Sequence, residues 1–303
     1  MLISIITINF ADQYSFDMKR VYICMIFLVS ASLSLYAETP VVPPNYRDKS
    51  LIAPEYFGPN AFPVPIMLTG TNDSTLNFSL GLDAQFAQPG RTQKGNEGER
   101  TNTIQAYLSI PLFTQRVNFR VWMPVMEFYE NTNFGSGHGA GDVHISTDIQ
   151  ILNERHIAPA IQLRAAMKTA SGGQYEKYRF YDSPAYFFDI AFAKSFALNP
   201  DWLIRLCASA GFLCWQTDNG RQNDAVMYGV SMQLRYRYVS AVATYAGYVG
   251  WENAGDQPMV IRADLRGHVN NFEPFIGYEY GIKDYPFHTA RLGLRYHIPI
   301  LKK

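Results

Sequence analysis

Leu76-Asn77-Phe78-Ser79-Leu80-Gly81-Leu82-Asp83-Ala84-Gln85-Phe86 alternates an apolar residue with a polar or small one for eleven consecutive positions. A period of two places the apolar set on one face of an extended chain and the polar set on the other. The pattern returns at Ile104–Leu112, Val143–Ile151, Ile157–Met167, Val226–Tyr238, Met259–Leu265 and Leu292–Ile298. Less regular segments near 117–128, 185–196, 202–215, 239–250 and 272–281 bring the count to twelve predicted strands. Each runs for about ten to fourteen residues, against the five or six usual in soluble sheets. Strands near ten residues, tilted by about 45°, are what a hydrocarbon layer requires.

The connections carry the same message. Long polar stretches follow the odd strands: Gln88–Arg100, Glu130–Gly141, Thr169–Ser183, Gln216–Asp224, Glu252–Gln257 and Gly281–Pro286. Brief turns follow the even ones: Phe113–Arg116, Asn153–Arg155, Leu198–Asp201, Tyr238–Val239 and Asn270–Asn271. Long loops at one end and tight turns at the other is the asymmetry of outer-membrane barrels. In lipid an open sheet edge is prohibitive, so the sheet must close. The fold predicted is all-β: an antiparallel up-and-down transmembrane barrel of about twelve strands over residues 74–303. An even strand count puts both of its ends, and with them the N- and C-termini, on the short-turn, periplasmic side.

Composition agrees. Over 303 residues, 26 Lys and Arg balance 26 Asp and Glu, which argues against nucleic acid as a partner. Only 17 % of residues are charged while 15 % are aromatic, and the mean hydropathy is −0.12. A helical membrane protein would be more hydrophobic and a disordered chain poorer in aromatics. Tyr236, Tyr238, Tyr296, Trp202 and Trp251 fall toward strand ends on the apolar register, where an aromatic girdle would meet the bilayer interface.

At the N-terminus, Met18-Lys19-Arg20 precedes an apolar run to Leu35, then Ala37 and the polar Glu38-Thr39-Pro40. This is the layout of a secretory signal peptide over residues 1–37, with Met18 the expected start and export to the outer membrane of a Gram-negative bacterium as the destination. Residues 38–73 hold Pro40, Pro43, Pro44, Pro54, Pro59, Pro63 and Pro65 among aromatic residues. Such a segment is extended and cannot be a central strand. It is read as periplasmic, either docked on the barrel or a free linker, and as a candidate contact for a periplasmic partner. Of three cysteines, Cys24 lies in the leader, and Cys207 and Cys214 are too far apart along one strand for a disulfide. They are expected to be buried free thiols.

Gly139-Ala140-Gly141-Asp142-Val143 opens one strand, and Pro159–Gly173 (PAIQLRAAMKTASGG) runs from another into a Lys-Thr-x-x-Gly turn. A polar loop and an Asp189-containing strand ending in Lys194-Ser195 follow. This order resembles the outer-membrane barrels of the meta-pathway phenol-degradation family, with the family's usual proline missing from Thr169-Ala170-Ser171-Gly172. The resemblance covers residues 74–303 and implies an outer-membrane barrel with a transport role; it names no ligand.

Catalytic and metal patterns are thin. Ser136 and His138 lie in the glycine-rich Asn133–Gly141 stretch, read as a loop, without the His and Ser-Asn-Gly pattern of an outer-membrane phospholipase. Asp142 and His144 share a face, as polar wall residues do. His144, His268 and His297 belong to three separate strands or turns and have no metal-ligand spacing. No catalytic residue, metal or cofactor is assigned. What remains is the inward wall. Its lumen-facing candidates are Arg120, Asp148, Arg164, Asp189, Arg205, Arg262, Asp264, Arg266, Arg291 and Arg295. Two readings stay open: a ladder of cross-strand ion pairs that rigidifies a partly filled barrel, or a polar pathway that selects by charge. Twelve strands leave a free lumen of roughly 10 Å unless loops or the proline-rich stretch fill it. The function expected is a narrow pore or facilitator for small polar or anionic solutes, embedded in membrane lipid. The alternatives are a closed structural or partner-binding barrel and a hydrolase active at the membrane rim.

Overall fold

The computed structural model describes residues 58–60, 62–70, 77–90, 98–112, 116–132, 135–172, 184–216, 222–250 and 256–299. The leader, the first part of the proline-rich stretch and Trp251 lie outside these.

Thirteen strands are present among the described residues: β1 (Asn77–Pro89), β2 (Arg100–Pro111), β3 (Val117–Asn131), β4 (Gly135–Gly139), β5 (His144–Leu152), β6 (Ala160–Lys168), β7 (Ala185–Ala197), β8 (Trp202–Gln216), β9 (Gln222–Tyr236), β10 (Val239–Val249), β11 (Met259–Gly267), β12 (Phe272–Lys283) and β13 (Phe287–Pro299). Twelve of them form a closed antiparallel barrel. Chain neighbours pair throughout, β3 pairs with β5, and β1 pairs with both β2 and β13. The ring shuts along β1, from Asn77 against Pro299 to Pro89 against Phe287.

The thirteenth strand, β4, corrects the expected loop at Asn133–Gly141. Gly135–Gly139 folds back on Asn131–Glu127 and prolongs the β3 hairpin beyond the ring. Glycine permits this approach: a Cβ on Gly137 would stand 2.6 Å from the Tyr129 hydroxyl. Pro124, inside β3, is accommodated where the register with β2 shifts, Ile104 facing Met126 and the next residue, Gln105, facing Pro124. Such a bulge is where a strand tolerates a residue lacking N–H.

Alternation along each strand sets what meets lipid. Leu82, Phe86, Phe188, Ile190, Phe192, Val230 and Leu292 are outward and exposed. A continuous apolar belt of this extent is foreign to a water-soluble surface and natural to a bilayer. Trp202 packs on Tyr236 at 4.5 Å and Phe272 on Tyr296 at 4.8 Å, both pairs at the short-turn end. No helix among the described residues is long and apolar enough to cross a membrane; the strands cross it. Cys207 and Cys214 are buried and unpaired with each other.

Candidate functional site in the barrel lumen

Residues opposite each other on neighbouring strands lie close enough to pair, and the inward wall uses this. Arg164 on β6 stands opposite Asp189 on β7. Its Nε donates to Oδ1 at 2.6 Å and its Nη2 to Oδ2 at 2.9 Å, a bidentate fork buried on both sides. Arg120 meets Asp148 at 2.9 Å. Arg262 on β11 pairs with Glu279 on β12. Asp264 lies between Arg291 at 2.7 Å and Arg266 at 3.3 Å. Glu273 gathers Arg266 at 3.5 Å and Arg295 at 3.6 Å. Arg205 turns to Glu154, in the β5–β6 turn, at 3.2 Å. All ten candidate wall residues thus stand in ion pairs.

Part of the proline-rich stretch runs through this wall of charge. Asn60 donates to Thr103 Oγ1 at 2.9 Å and to Glu127 Oε2 at 2.5 Å, on β2 and β3. A few residues later the same segment reaches the opposite side. Arg262 on β11 donates through Nη2 to the Val64 carbonyl at 2.5 Å and through Nη1 to that of Pro65 at 3.1 Å. Arg164 Nη1 on β6 holds the Ile66 carbonyl at 2.7 Å. On β8, Cys207 Sγ lies 3.5 Å from the Leu68 carbonyl and Arg205 Nε 3.2 Å from that of Thr69. Gln150 Nε2 on β5 donates to the Gly70 carbonyl at 3.2 Å. A segment touching β2, β3, β5, β6, β8 and β11 of a closed ring runs inside it.

The chemistry of this capture follows from residue type. Pro59, Pro63 and Pro65 lack N–H, and an extended segment makes no hydrogen bonds within itself. It presents carbonyl acceptors, and arginine, with donors only, is their complement. Its apolar side chains settle on an inward patch built by β6–β11. Val64 and Met67 pack with Phe187, Leu213, Trp215, Met227, Tyr248 and Val260, and Phe62 meets the Trp215 ring edge-on at 5.1 Å. Each such side chain contributes about 1.5–3 kcal/mol when fully buried. Gly229 makes room: a Cβ there would lie 2.2 Å from Met67 Sδ. Gly70, at φ +78°, adopts a left-handed turn, and a Cβ on it would stand 2.2 Å from that of Ala193.

The segment has a direction. The Pro59 carbonyl accepts from Tyr285 Oη at 3.0 Å, beside the β12–β13 connection at the long-loop end. Gly70 lies at the short-turn end, where Asn77 and Pro299 also meet. Residues 58–60 and 62–70, expected to be periplasmic, therefore lie within the barrel, and Pro59 is at the end opposite to the one expected for the N-terminal side. The lumen is not filled completely. A cavity of about 90 Å³ remains beside the segment, bordered by Ile66, Gln85, Gln105, Trp122, Arg262 and Arg291. Ile66 is more than half exposed there, at 55 %.

The motif residues behind the family resemblance build a latch at the long-loop end. Asp142 accepts from the backbone N–H of Ser171 at 2.8 Å and of Gly172 at 2.6 Å, and pairs with Lys168. Thr169 N–H donates to the Val143 carbonyl at 2.8 Å. The latch ties the exit of β6 to the start of β5. Ser136 and His138 share the exposed face of β4, beside Arg100, Asn102, Phe128 and Glu130 at the rim. His144 stacks on Trp122 at 5.0 Å. His268 and His297, read as separate, converge on one carboxylate oxygen of Glu273 at 3.5 and 3.6 Å. Among the described residues no group of three or more His, Cys, Asp or Glu forms a metal-binding set. Glu154, Gln150 and Cys207 are the contacts that sequence reasoning missed. No signal in the sequence marks them, because their partners are backbone carbonyls or residues distant along the chain.

No protein-family model and no curated protein matches this sequence. Solved structures do resemble the fold. The COG4313 outer membrane channel from Pseudomonas putida F1 matches at TM-score 0.54 and 11 % identity, over 86 % of this chain and 100 % of that one. The NanC porin matches at TM-score 0.48 and 10 % identity, over 72 % and 100 %. The β domain of the Bordetella autotransporter BrkA matches at 0.46 and 11 %, over 74 % and 100 %. The first of these likenesses shows the fold: this chain is a closed barrel of the outer-membrane type.

Proposed function

We propose that this protein is a narrow outer-membrane pore or facilitator for small polar or anionic solutes, whose lumen is occupied at rest by residues 58–60 and 62–70. The observation that carries the reading is the nature of the filling. A barrel built only as scaffold is filled by its own wall side chains, as small barrels are. Here a separate segment occupies the interior, held by carbonyl hydrogen bonds, with a cavity of mixed lining left beside it. The resemblance of the Gly139–Val143 and Pro159–Gly173 stretches to the meta-pathway phenol-degradation barrels supports transport without indicating a phenolic solute. Residues 1–37 serve as the export signal in this reading, and the short-turn end, carrying the C-terminus, faces the periplasm. The ten wall residues line the route, and Arg164, Arg205 and Arg262 among them position the segment.

Planar-bilayer conductance in a salt gradient tests it, using the refolded protein and a variant carrying Leu68→Cys. Leu68 packs against Cys207, so oxidation locks the segment to β8 and reduction frees it. The expected result is discrete conductance steps that oxidation suppresses and reductant restores. Silence from folded protein in both states, and again after removal of residues 58–70, favours the closed structural barrel. That second reading has its own observation, the complete ion pairing of the candidate wall residues.

A further inference from the structure

We propose that the short-turn mouth holds a binding site for a small oxyanion, formed by Arg235, Arg266, Arg295, His268 and His297 around Glu273, and that it strengthens as pH falls. This deepens the pore reading and rests on it for its physiological role.

The arrangement begins with register. Ser240 on β10 stands opposite Arg235 on β9 and Arg266 on β11, while Glu273 on β12 stands opposite Arg295 on β13. Arg235, Arg266 and Arg295 lie near the ends of their strands and Ser240 and Glu273 at the starts of theirs, so they share the short-turn mouth. His268 follows β11 directly, and His297 stands opposite Ser79 of β1. Each imidazole has a hydroxyl on one nitrogen and Glu273 on the other. Ser240 Oγ is 3.0 Å from His268 Nε2, and Ser79 Oγ is 2.8 Å from His297 Nδ1. Glu273 Oε2 faces both rings, and Oε1 faces both arginines.

One carboxylate therefore answers four basic side chains. Asp264, the next acid along the wall, is divided between Arg266 and Arg291, and Asp83 lies deeper, near Arg291 and Arg295. Arg235 is exposed and makes no ion pair among the described residues. The Nε–H groups of Arg266 and Arg295 are buried without an acceptor. Access is open nonetheless: the side chains of Arg266, Arg295, His268 and His297 each keep between 21 % and 32 % of their surface exposed. The mouth thus offers forked donors and an excess of positive charge to a ligand smaller than the lumen. Burial, with Arg235, Arg266 and His297 adding positive charge, holds His268 below the usual histidine value despite the attraction of Glu273. It is neutral at neutral pH and gains charge on acidification, and a bound anion would favour that gain.

Sulfate is the probe, because its charge stays constant between pH 8 and pH 5. Calorimetric titration of the refolded full-length protein in detergent should show binding at pH 5 that weakens about tenfold by pH 8. Arg235→Gln, at an exposed position outside every ion pair, should weaken it about fivefold at both values while Arg235→Lys retains most of it. His268→Gln combined with His297→Gln should flatten the pH dependence. No sulfate binding at either pH, binding indifferent to pH, or binding unaffected by Arg235→Gln overturns the proposal. A protein that conducts in bilayers without binding sulfate loses this site and keeps the pore. One that binds sulfate and never conducts, with the segment locked or freed, loses the pore and keeps the site.

Discussion

Arg262 and Arg266 stand four residues apart on the same face of β11, and each pairs with a glutamate of β12. From there they diverge. Arg262 turns both terminal nitrogens to the carbonyls of Val64 and Pro65. Arg266 gives its own to Asp264 and Glu273 and makes no hydrogen bond to the segment among the described residues. Arg164 and Arg205 follow Arg262, binding an acid on one side and the segment on the other; Arg291 and Arg295 follow Arg266. One half of the lumen is a clamp and the other an open charged wall. The difference teaches what the acids do. In the clamp they orient guanidinium groups whose remaining donors a proline-rich chain requires, and in the open wall they are shared among more arginines than they neutralise.

The contrast is broken most severely at Arg164. Replacing it with Met leaves the fully buried Asp189 carboxylate without its fork and the Ile66 carbonyl without its donor. A loss of about 3–5 kcal/mol is expected, read as a lower denaturant midpoint in detergent. The double variant Arg164→Met with Asp189→Leu should recover most of it, since a pair removed together leaves no buried lone charge. Arg291→Met should cost less, because Asp264 retains Arg266. Next in size is Arg262→Gln. It removes two charge-assisted hydrogen bonds to the segment, a loss of about 1.5–3 kcal/mol in all because the glutamine amide can still donate to one carbonyl, and should raise the open fraction in bilayers. Arg266→Gln should change ion preference and leave the open fraction alone. Equal effects of the two on opening would show that the clamp and the open wall are not distinct.

The same contrast explains what was legible in the sequence. Two strands that alternate cleanly, Asn77–Phe86 and Leu292–Ile298, face the open wall, where polar side chains stand against an apolar lipid face; Ile157–Met167 and Met259–Leu265 alternate as cleanly in the clamp because Arg164 and Arg262 keep their inward side polar. Segments 185–196, 202–215 and 239–250 read less cleanly because their inward side is apolar too: Phe187, Leu213, Trp215, Ala246 and Tyr248 cover the segment. The irregularity was itself the trace of an occupant, although periodicity alone does not distinguish a filled lumen from a poor strand. Charged wall positions followed from register, and so did cross-strand pairs such as Arg120 with Asp148 and Arg164 with Asp189; contacts outside the strands did not. Arg205 finds Glu154 in a turn, and the Val64, Pro65 and Ile66 carbonyls carry no residue-type signal at all.

Gly229→Ala sharpens the comparison at smaller scale. The added methyl group meets Met67 Sδ, the flexible part of a side chain on the segment rather than the wall. About 1 kcal/mol of destabilisation of the docked segment is expected, seen as a modest rise in opening. Met67→Ala in the same chain should relieve the collision. If the rise persists in the double variant, the effect lies in β9 and not in the docking of the segment.

The smallest expected effect isolates the outermost member of the clamp by pH. Glu154 lies in the β5–β6 turn, outside the spanning strands. Burial tends to raise its pKa, but the Ser195 N–H and hydroxyl, the Lys194 ammonium and the Arg205 charge outweigh this and hold it below the usual carboxylate value. A lowered folded-state pKa means that its stabilisation is fully present above the ordinary glutamate range and is lost as pH falls through the lowered value. Acidification should therefore loosen Arg205 and, through it, the hold on the Thr69 carbonyl, without touching Arg262. Thermal unfolding of Glu154→Gln beside the parent protein should show a gap at neutral pH that closes under acid. A gap of constant size from neutral to strongly acidic solution would mean that Glu154 acts through shape and not through charge, and that Arg205 belongs with the open wall.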